Sequence, residues 1–112
     1  MLQRGSVDGL LALAAATVAE PALDAVDESG KAEEVKVATI DLSPGVLQAV
    51  SDGKLLFASD QQQYLAGYLP VVLLTLYHEY GIRPPAFVPT GPSYVTGENA
   101  AQVIELSKRG IR

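Results

Sequence analysis

The chain of 112 residues contains no cysteine, one histidine and few basic residues. Without cysteine it forms no disulfide, no thiolate nucleophile and no cysteine-ligated zinc or iron–sulfur site. The one histidine, His78, excludes paired-histidine metal motifs and argues against a Ser-His-Asp triad. Any catalysis would therefore depend on carboxylates, and we expect neither a metal nor an organic cofactor.

Charge and composition narrow the class of protein further. The 13 Asp and Glu residues outnumber the 8 Lys and Arg residues, the net charge is −5, and the basic residues form no patch. Nucleic acid is therefore not an expected partner. Hydrophobic residues make up 48% and charged residues 19% of the chain, as in globular domains. The length suits one hydrophobic core, so we expect residues 1–112 to form a single unit.

Two apolar stretches require a test as membrane segments. Residues 10–19 resemble the apolar part of a signal peptide, but Asp8 precedes them and Glu20 follows them. We therefore expect no signal peptide in this chain. Residues 64–77 contain Pro70 and are shorter than the roughly 20 residues that span a bilayer. This second stretch predicts a buried helix and no membrane span.

Strand-like and helical segments alternate along the chain. Apolar and β-branched runs predict strands at residues 7–13, 35–40 and 55–59, with a less regular run at residues 87–95. Helical spacing predicts helices at residues 17–29, between Ser43 and Gly53, at residues 62–80 and at residues 98–109. The glycines expected in the left-handed conformation that ends helices are Gly30, Gly53, Gly81 and Gly110. This alternation predicts an α/β fold with a parallel sheet flanked by helices.

The second helix has the clearest local signal. Ser43 is its expected N-cap and Pro44 its first residue, because proline suits a position whose N–H is unbonded anyway. Val46, Leu47 and Val50 form its expected buried face.

The third helix and the segment after it are less regular. Residues 62–80 are apolar nearly all round the helix, which requires cover on several sides, and Pro70 should kink or restart the helix. Residues 81–97 contain four prolines, which predicts an extended connector. Thr96 or Gly97 is expected to open the last helix.

Polar residues follow two of the predicted strands, where open parallel sheets bind ligands. Asp41 could accept hydrogen bonds from two ligand hydroxyls, or it could cap backbone N–H groups at the entry to the second helix. Asp60 is interpreted as a cap of the third helix. Gln61 either binds a hydroxyl pair, because it both donates and accepts, or is solvated. No nucleophile or metal ligand supports a catalytic pair of Asp41 and Asp60, so we expect no enzyme.

Three segments resemble a known family when taken in order. They are residues 37–44 (VATIDLSP), residues 52–68 (DGKLLFASDQQQYLAGY) and residues 90–96 (TGPSYVT). They resemble the C-terminal part of the sugar-type periplasmic solute-binding proteins of bacterial ABC importers, which have the type I bilobed fold. The resemblance implies that Asp41 and Gln61 bind the hydroxyls of a monosaccharide or polyol. It also implies a periplasmic or extracellular parent protein that works with ABC permease subunits.

The chain departs from this family in two ways. Ala14 and Ala15 follow the first strand, where ribose-binding relatives carry an Asn-Asp pair, so the sugar is left open. The chain is also too short for two lobes, and the helix at residues 62–80 would belong to the missing lobe. That predicts self-association through an exposed apolar face. The residues of this face are Val71, Val72, Leu74 and Leu76.

Two alternatives to a sugar-importer fragment stay open at this point. The first is the ligand-sensing domain of a transcription regulator, since such regulators share the fold. The second is an oligomerising fragment with no ligand affinity of its own, since half of the ligand cleft is absent.

Overall fold

The computed structural model describes residues 7–112. Its elements alternate largely as predicted, although most are shorter than the predicted segments. In chain order they are β1 (Gly9–Ala12), a π-helical turn (Ala15–Ala19), α1 (Glu20–Glu28), β2 (Lys36–Ile40), α2 (Pro44–Ser51), β3 (Ala58–Asp60), α3 (Gln63–Tyr80), β4 (Ser93–Val95) and α4 (Ala100–Lys108).

The sheet has four strands in the order β1-β2-β3-β4. The first three strands are parallel, as predicted, but β4 runs antiparallel to β3. The reason lies in the path of the chain between them. It leaves the sheet at Asp60, the last residue of β3, and returns at Ser93, which pairs with Asp60 in the register. The returning strand therefore starts at the end of the sheet where β3 stops, and it must run in the opposite direction.

The core lies on one face of the sheet, against α1, α2 and α4. Because strand side chains alternate between faces, Val37 and Val95 point into the core, where they are 2% and 0% exposed. Burying one such side chain contributes about 2 kcal/mol. The opposite face is open, with Leu11 58% and Tyr94 55% exposed. The buried helix residues that pack in the core include Val26, Val46, Val50, Ala100 and Val103.

The local predictions for α2 are confirmed. The Ser43 hydroxyl accepts a hydrogen bond from Val46 N–H at 3.1 Å, and Pro44 is the first residue of the helix. Val46, Leu47 and Val50 are buried. The four glycines predicted to end helices also have left-handed backbones, with φ values of 68°, 74°, 67° and 67°.

The first helix begins differently from its prediction at residues 17–29. Residues Ala15–Ala19 form a π-helical turn, in which Ala19 N–H donates to Ala14 C=O at 2.9 Å, and α1 follows at Glu20. Pro21 lacks the N–H that a regular α-helix would use to bond the preceding turn, so α-helical bonding becomes regular only after it.

The last helix opens at Asn99 and not at Thr96 or Gly97, which corrects the prediction. The Asn99 side chain accepts from Thr96 N–H and donates to Tyr94 C=O, both at 3.0 Å. These two bonds close a turn between β4 and α4, so the helix starts after the turn is complete.

Helix α3 corrects the prediction of a buried helix, because none of its residues is buried. It continues through Pro70 as one helix of 18 residues and does not restart there. The apolar side chains of α3, which were expected to be covered on several sides, are therefore exposed or only half-buried. Val71 and Leu74 are 66% and 62% exposed, and His78 is exposed as well. Among residues 7–112, no helix combines the length and the hydropathy needed to cross a bilayer.

The N-terminus of α2 is also capped by a residue of α1. Ser43 donates from its hydroxyl to Glu20 Oε1 at 2.6 Å, which places a carboxylate at the positive end of the α2 dipole. Gly45 makes this approach possible, because a Cβ atom at this position would lie 2.5 Å from Glu20 Oε1. Sequence reasoning did not find this contact.

Replacing glycine with alanine inside a helix usually raises the free energy of unfolding by about 1 kcal/mol. We expect Gly45→Ala to give almost none of this gain. The added methyl group displaces Glu20 and removes a favourable interaction worth about the same amount. In a Glu20→Ala background, the same Gly45→Ala change should stabilise by about 1 kcal/mol. Urea unfolding of the four variants measures both values, and equal effects in the two backgrounds would contradict the expectation.

Candidate functional site

The candidate site lies where β2 and β3 end. These strands are parallel neighbours, so their carboxyl ends meet at one edge of the sheet. Asp41 directly follows β2, and Gln61 directly follows β3. A backbone hydrogen bond from Asp41 N–H to Ser59 C=O at 2.9 Å joins the residue after β2 to β3. The structure thus brings the two predicted ligand-binding residues to adjoining strand ends.

Asp41 has an unusual backbone and a carboxylate with one oxygen in use. Its φ of 79° lies in the left-handed region, which few residues other than glycine adopt. Oδ1 accepts from Leu42 N–H at 2.9 Å and from Gln63 Nε2 at 2.6 Å. Among residues 7–112, no donor bonds Oδ2. Asp41 therefore accepts from a backbone N–H before α2, which was one of the two roles expected for it. Its second oxygen is available to another donor.

Gln61 lines a cavity of about 340 Å³. The cavity lies between the end of β3 and the returning residues 87–92. The Gln61 side chain is exposed and makes no hydrogen bond within the described part of the chain, so it is accessible to a ligand. Asp41 does not line this cavity. The two predicted site residues therefore lie after neighbouring strands and do not line one common cavity.

Asp60 is a structural residue. Its side chain is 1% exposed, and both of its oxygens are used. Oδ1 accepts from Gln62 N–H at 2.7 Å, next to the first residue of α3, and Oδ2 accepts from Arg112 Nε at 2.8 Å. Arg112 also donates to Ser93 Oγ at 2.9 Å. Asp60 thus bonds the N-cap residue of α3 and not an N–H of the helix itself, so the predicted cap is not formed. Its other oxygen joins β3 to Arg112, which also bonds Ser93 of β4.

Sequence reasoning missed two residues around the site, Gln63 and Arg112. Gln63 lies in the run of three glutamines at residues 61–63, which carried no signal of its own. Arg112 is 52 positions from Asp60 along the chain, and no local pattern connects them. Among residues 7–112, no group of His, Asp and Glu side chains is arranged to hold a metal ion.

The chain resembles known proteins that bind or transport sugars. No protein-family profile matches the chain. It is 38% identical over 69 residues to the xylose/arabinose-binding protein of Sulfolobus acidocaldarius. The aligned residues make up 61% of this chain and 17% of that protein. A solved carbohydrate transporter from Acidothermus cellulolyticus 11B, in complex with myo-inositol, has a TM-score of 0.82 at 35% identity, over 98% of this chain and 38% of that one. The chain is therefore similar to part of a sugar-binding protein and to part of a carbohydrate transporter.

A further solved structure has the same fold. The periplasmic binding protein component of the arabinose ABC transporter from Shewanella sp. ANA-3 has a TM-score of 0.76 at 18% identity, over 96% of this chain and 36% of that one. The chain therefore spans well under half of the proteins it matches. The predicted fold class, an α/β portion of the type I fold, is confirmed apart from the antiparallel β4. Because the matched proteins bind or transport sugars, the regulator alternative gains no support.

Proposed function

We propose that the chain is the ligand-binding part of a sugar ABC importer's solute-binding protein and binds a monosaccharide or a similar polyol. The observation that carries this proposal is the Asp41 carboxylate, whose Oδ2 has no partner among residues 7–112 while Oδ1 is held by two donors. A carboxylate oxygen accepts from neighbouring hydroxyls in strong, charge-assisted bonds. Gln61, exposed on the adjoining loop, supplies a donor and an acceptor. The xylose, arabinose and myo-inositol in the names of the matched proteins are all polyhydroxylated.

Binding is proposed to occur without catalysis. Most enzymes that hydrolyse glycosides use two available carboxyl groups. Asp60 is buried and bonded at both oxygens, so it is not available as a second carboxylate beside Asp41. Turnover of any sugar by the chain would contradict this part of the proposal.

Location and partners follow from the same reasoning and belong to a longer parent protein. We propose that the parent acts in the periplasm or outside the cell and delivers its ligand to ABC permease subunits. The 112 residues are proposed to be one α/β unit within it. The description of one matched structure as the periplasmic component of an ABC transporter supports this assignment.

Self-association of the separate 112-residue chain is proposed as well, and α3 is the observation that favours it. This helix has no buried residue, and its exposed apolar side chains include Val71 and Leu74. Contiguous apolar surface of this kind marks an interaction site. A second copy of the chain carries the same apolar helix and can cover it symmetrically.

Titration of the 112-residue chain with myo-inositol, L-arabinose and D-xylose in a calorimeter tests the proposed binding. We expect Asp41→Ala to weaken the affinity for the preferred sugar by about tenfold or more, because hydrogen bonds to a charged group are lost. Asp52→Ala is the matched control, since Asp52 is an exposed carboxylate at the other end of α2. A change of about twofold or less in Asp41→Ala would show that Asp41 does not bind the ligand. If no sugar binds, the fragment without ligand affinity is the correct alternative.

A further inference from the structure

The first residue of α3 holds the proposed ligand-binding carboxylate. Gln63 donates from Nε2 to Asp41 Oδ1 at 2.6 Å, and Leu42 N–H donates to the same oxygen at 2.9 Å. A carboxylate offers about four acceptor sites, two on each oxygen. These two donors therefore fill Oδ1, while no donor among residues 7–112 occupies either site of Oδ2.

The backbone has a left-handed conformation on both sides of the bond between Gln63 and Asp41. Gln62, directly before Gln63, has φ 54° and ψ 57°, and its N–H donates to Asp60 Oδ1 at 2.7 Å. Asp41 also has a positive φ, of 79°. Left-handed backbones are unfavourable for residues with a Cβ atom, and they persist where the surrounding contacts determine them. The bonds at Asp60 and Asp41 are such contacts, and they fix the position from which the Gln63 amide reaches the carboxylate.

We infer that Gln63 is a positioning residue, which holds the Asp41 side chain in the rotamer that presents Oδ2 to the hydroxyls of the ligand. This inference rests on the proposed function and adds a residue to that site. Asp41 is partly exposed, and without Gln63 only Leu42 N–H would bond Oδ1. The carboxylate would then be less ordered and would have to be fixed when ligand binds. Ordering one side chain on binding weakens affinity by about threefold to tenfold.

The opposite role would be competition, in which the Gln63 amide occupies the place of a ligand hydroxyl. The geometry argues against it, because Gln63 and Leu42 share Oδ1 and no donor among residues 7–112 occupies Oδ2. The two roles predict changes of opposite sign. Removal of a positioning amide weakens binding, whereas removal of a competing amide strengthens it.

Calorimetry with myo-inositol on the 112-residue chain tests the inference. We expect Gln63→Ala to weaken the affinity by about threefold to tenfold, and Gln63→Lys, which keeps a donor long enough to reach Asp41, to retain it. In an Asp41→Ala background, Gln63→Ala should have no further effect. Gln48→Ala, at an exposed glutamine of α2, is the control for loss of an amide elsewhere. An unchanged or tighter affinity in Gln63→Ala would overturn the inference.

A second measurement needs no ligand. Three-bond couplings to the Asp41 β-protons report its χ1 rotamer by NMR, and we expect one rotamer in the unaltered chain and averaging in Gln63→Ala. Averaged couplings in the unaltered chain, or a single rotamer in both, would overturn the inference. Failure of the proposed function gives a different result from failure of the inferred role of Gln63. In that case the chain binds no sugar, or Asp41→Ala does not weaken the affinity for sugar. A normal loss in Asp41→Ala with no loss in Gln63→Ala would overturn only the role of Gln63.

Discussion

Replacing Arg112 with Ala is expected to lower the free energy of unfolding by about 3 kcal/mol. The substitution removes the partner of a carboxylate that is 1% exposed, since Arg112 Nε bonds Asp60 Oδ2 at 2.8 Å. It also removes the donor to Ser93 Oγ. Among the partners within residues 7–112, Asp60 would keep only Gln62 N–H, and a buried, half-paired carboxylate is unfavourable. Urea unfolding followed by circular dichroism gives the change directly.

The controls separate this buried pair from charge in general. Lys108→Ala removes a cation from an exposed pair with Glu105 at 3.8 Å, which should change stability by less than about 0.5 kcal/mol. Arg112→Lys keeps the charge but loses the planar fork that reaches both Asp60 and Ser93, so an intermediate loss is expected. If Arg112→Ala were no more destabilising than Lys108→Ala, Asp60 would not depend on this partner.

The features that the sequence predicts well depend on neighbouring residues. The N-cap at Ser43, the proline at the first position of α2 and the left-handed glycines after the helices are all determined within one turn of chain. The three parallel strands follow from short apolar runs. The positions of Asp41 and Gln61 at strand ends follow from the same pattern, because the residue after a parallel strand lies at the edge of the sheet.

The features that the sequence misses join distant residues. Gln63 is 22 positions from Asp41, and Arg112 is 52 positions from Asp60, so no periodicity or turn signal connects either pair. The antiparallel direction of β4 likewise depends on where residues 61–92 return to the sheet. The apolar composition of α3 predicts burial, yet no residue of this helix is buried by the part of the chain that the structure describes. Only the family resemblance anticipated this exposure.

A chain in which Val71 and Leu74 are both replaced by Lys is expected to stay monomeric at concentrations where the unaltered chain self-associates. The two residues are 66% and 62% exposed and are three positions apart, so they lie on the same face of α3. Lysine is a good helix former, which leaves α3 itself intact. Two unpaired ammonium groups in an apolar interface should weaken association by about 100-fold or more. Sedimentation equilibrium over a range of chain concentrations measures this change.

Net charge alone could also separate copies of a chain, so the matched control carries the same two lysines elsewhere. Ala101→Lys and Gln102→Lys place them at exposed positions of α4, and this variant should associate like the unaltered chain. The open face of the sheet is the competing interface, and Leu11→Lys tests it. If Leu11→Lys separates the copies and the α3 variant does not, the interface is the open face of the sheet and not α3. An unaltered chain that is monomeric throughout would mean that the apolar surface of α3 does not bind a second copy.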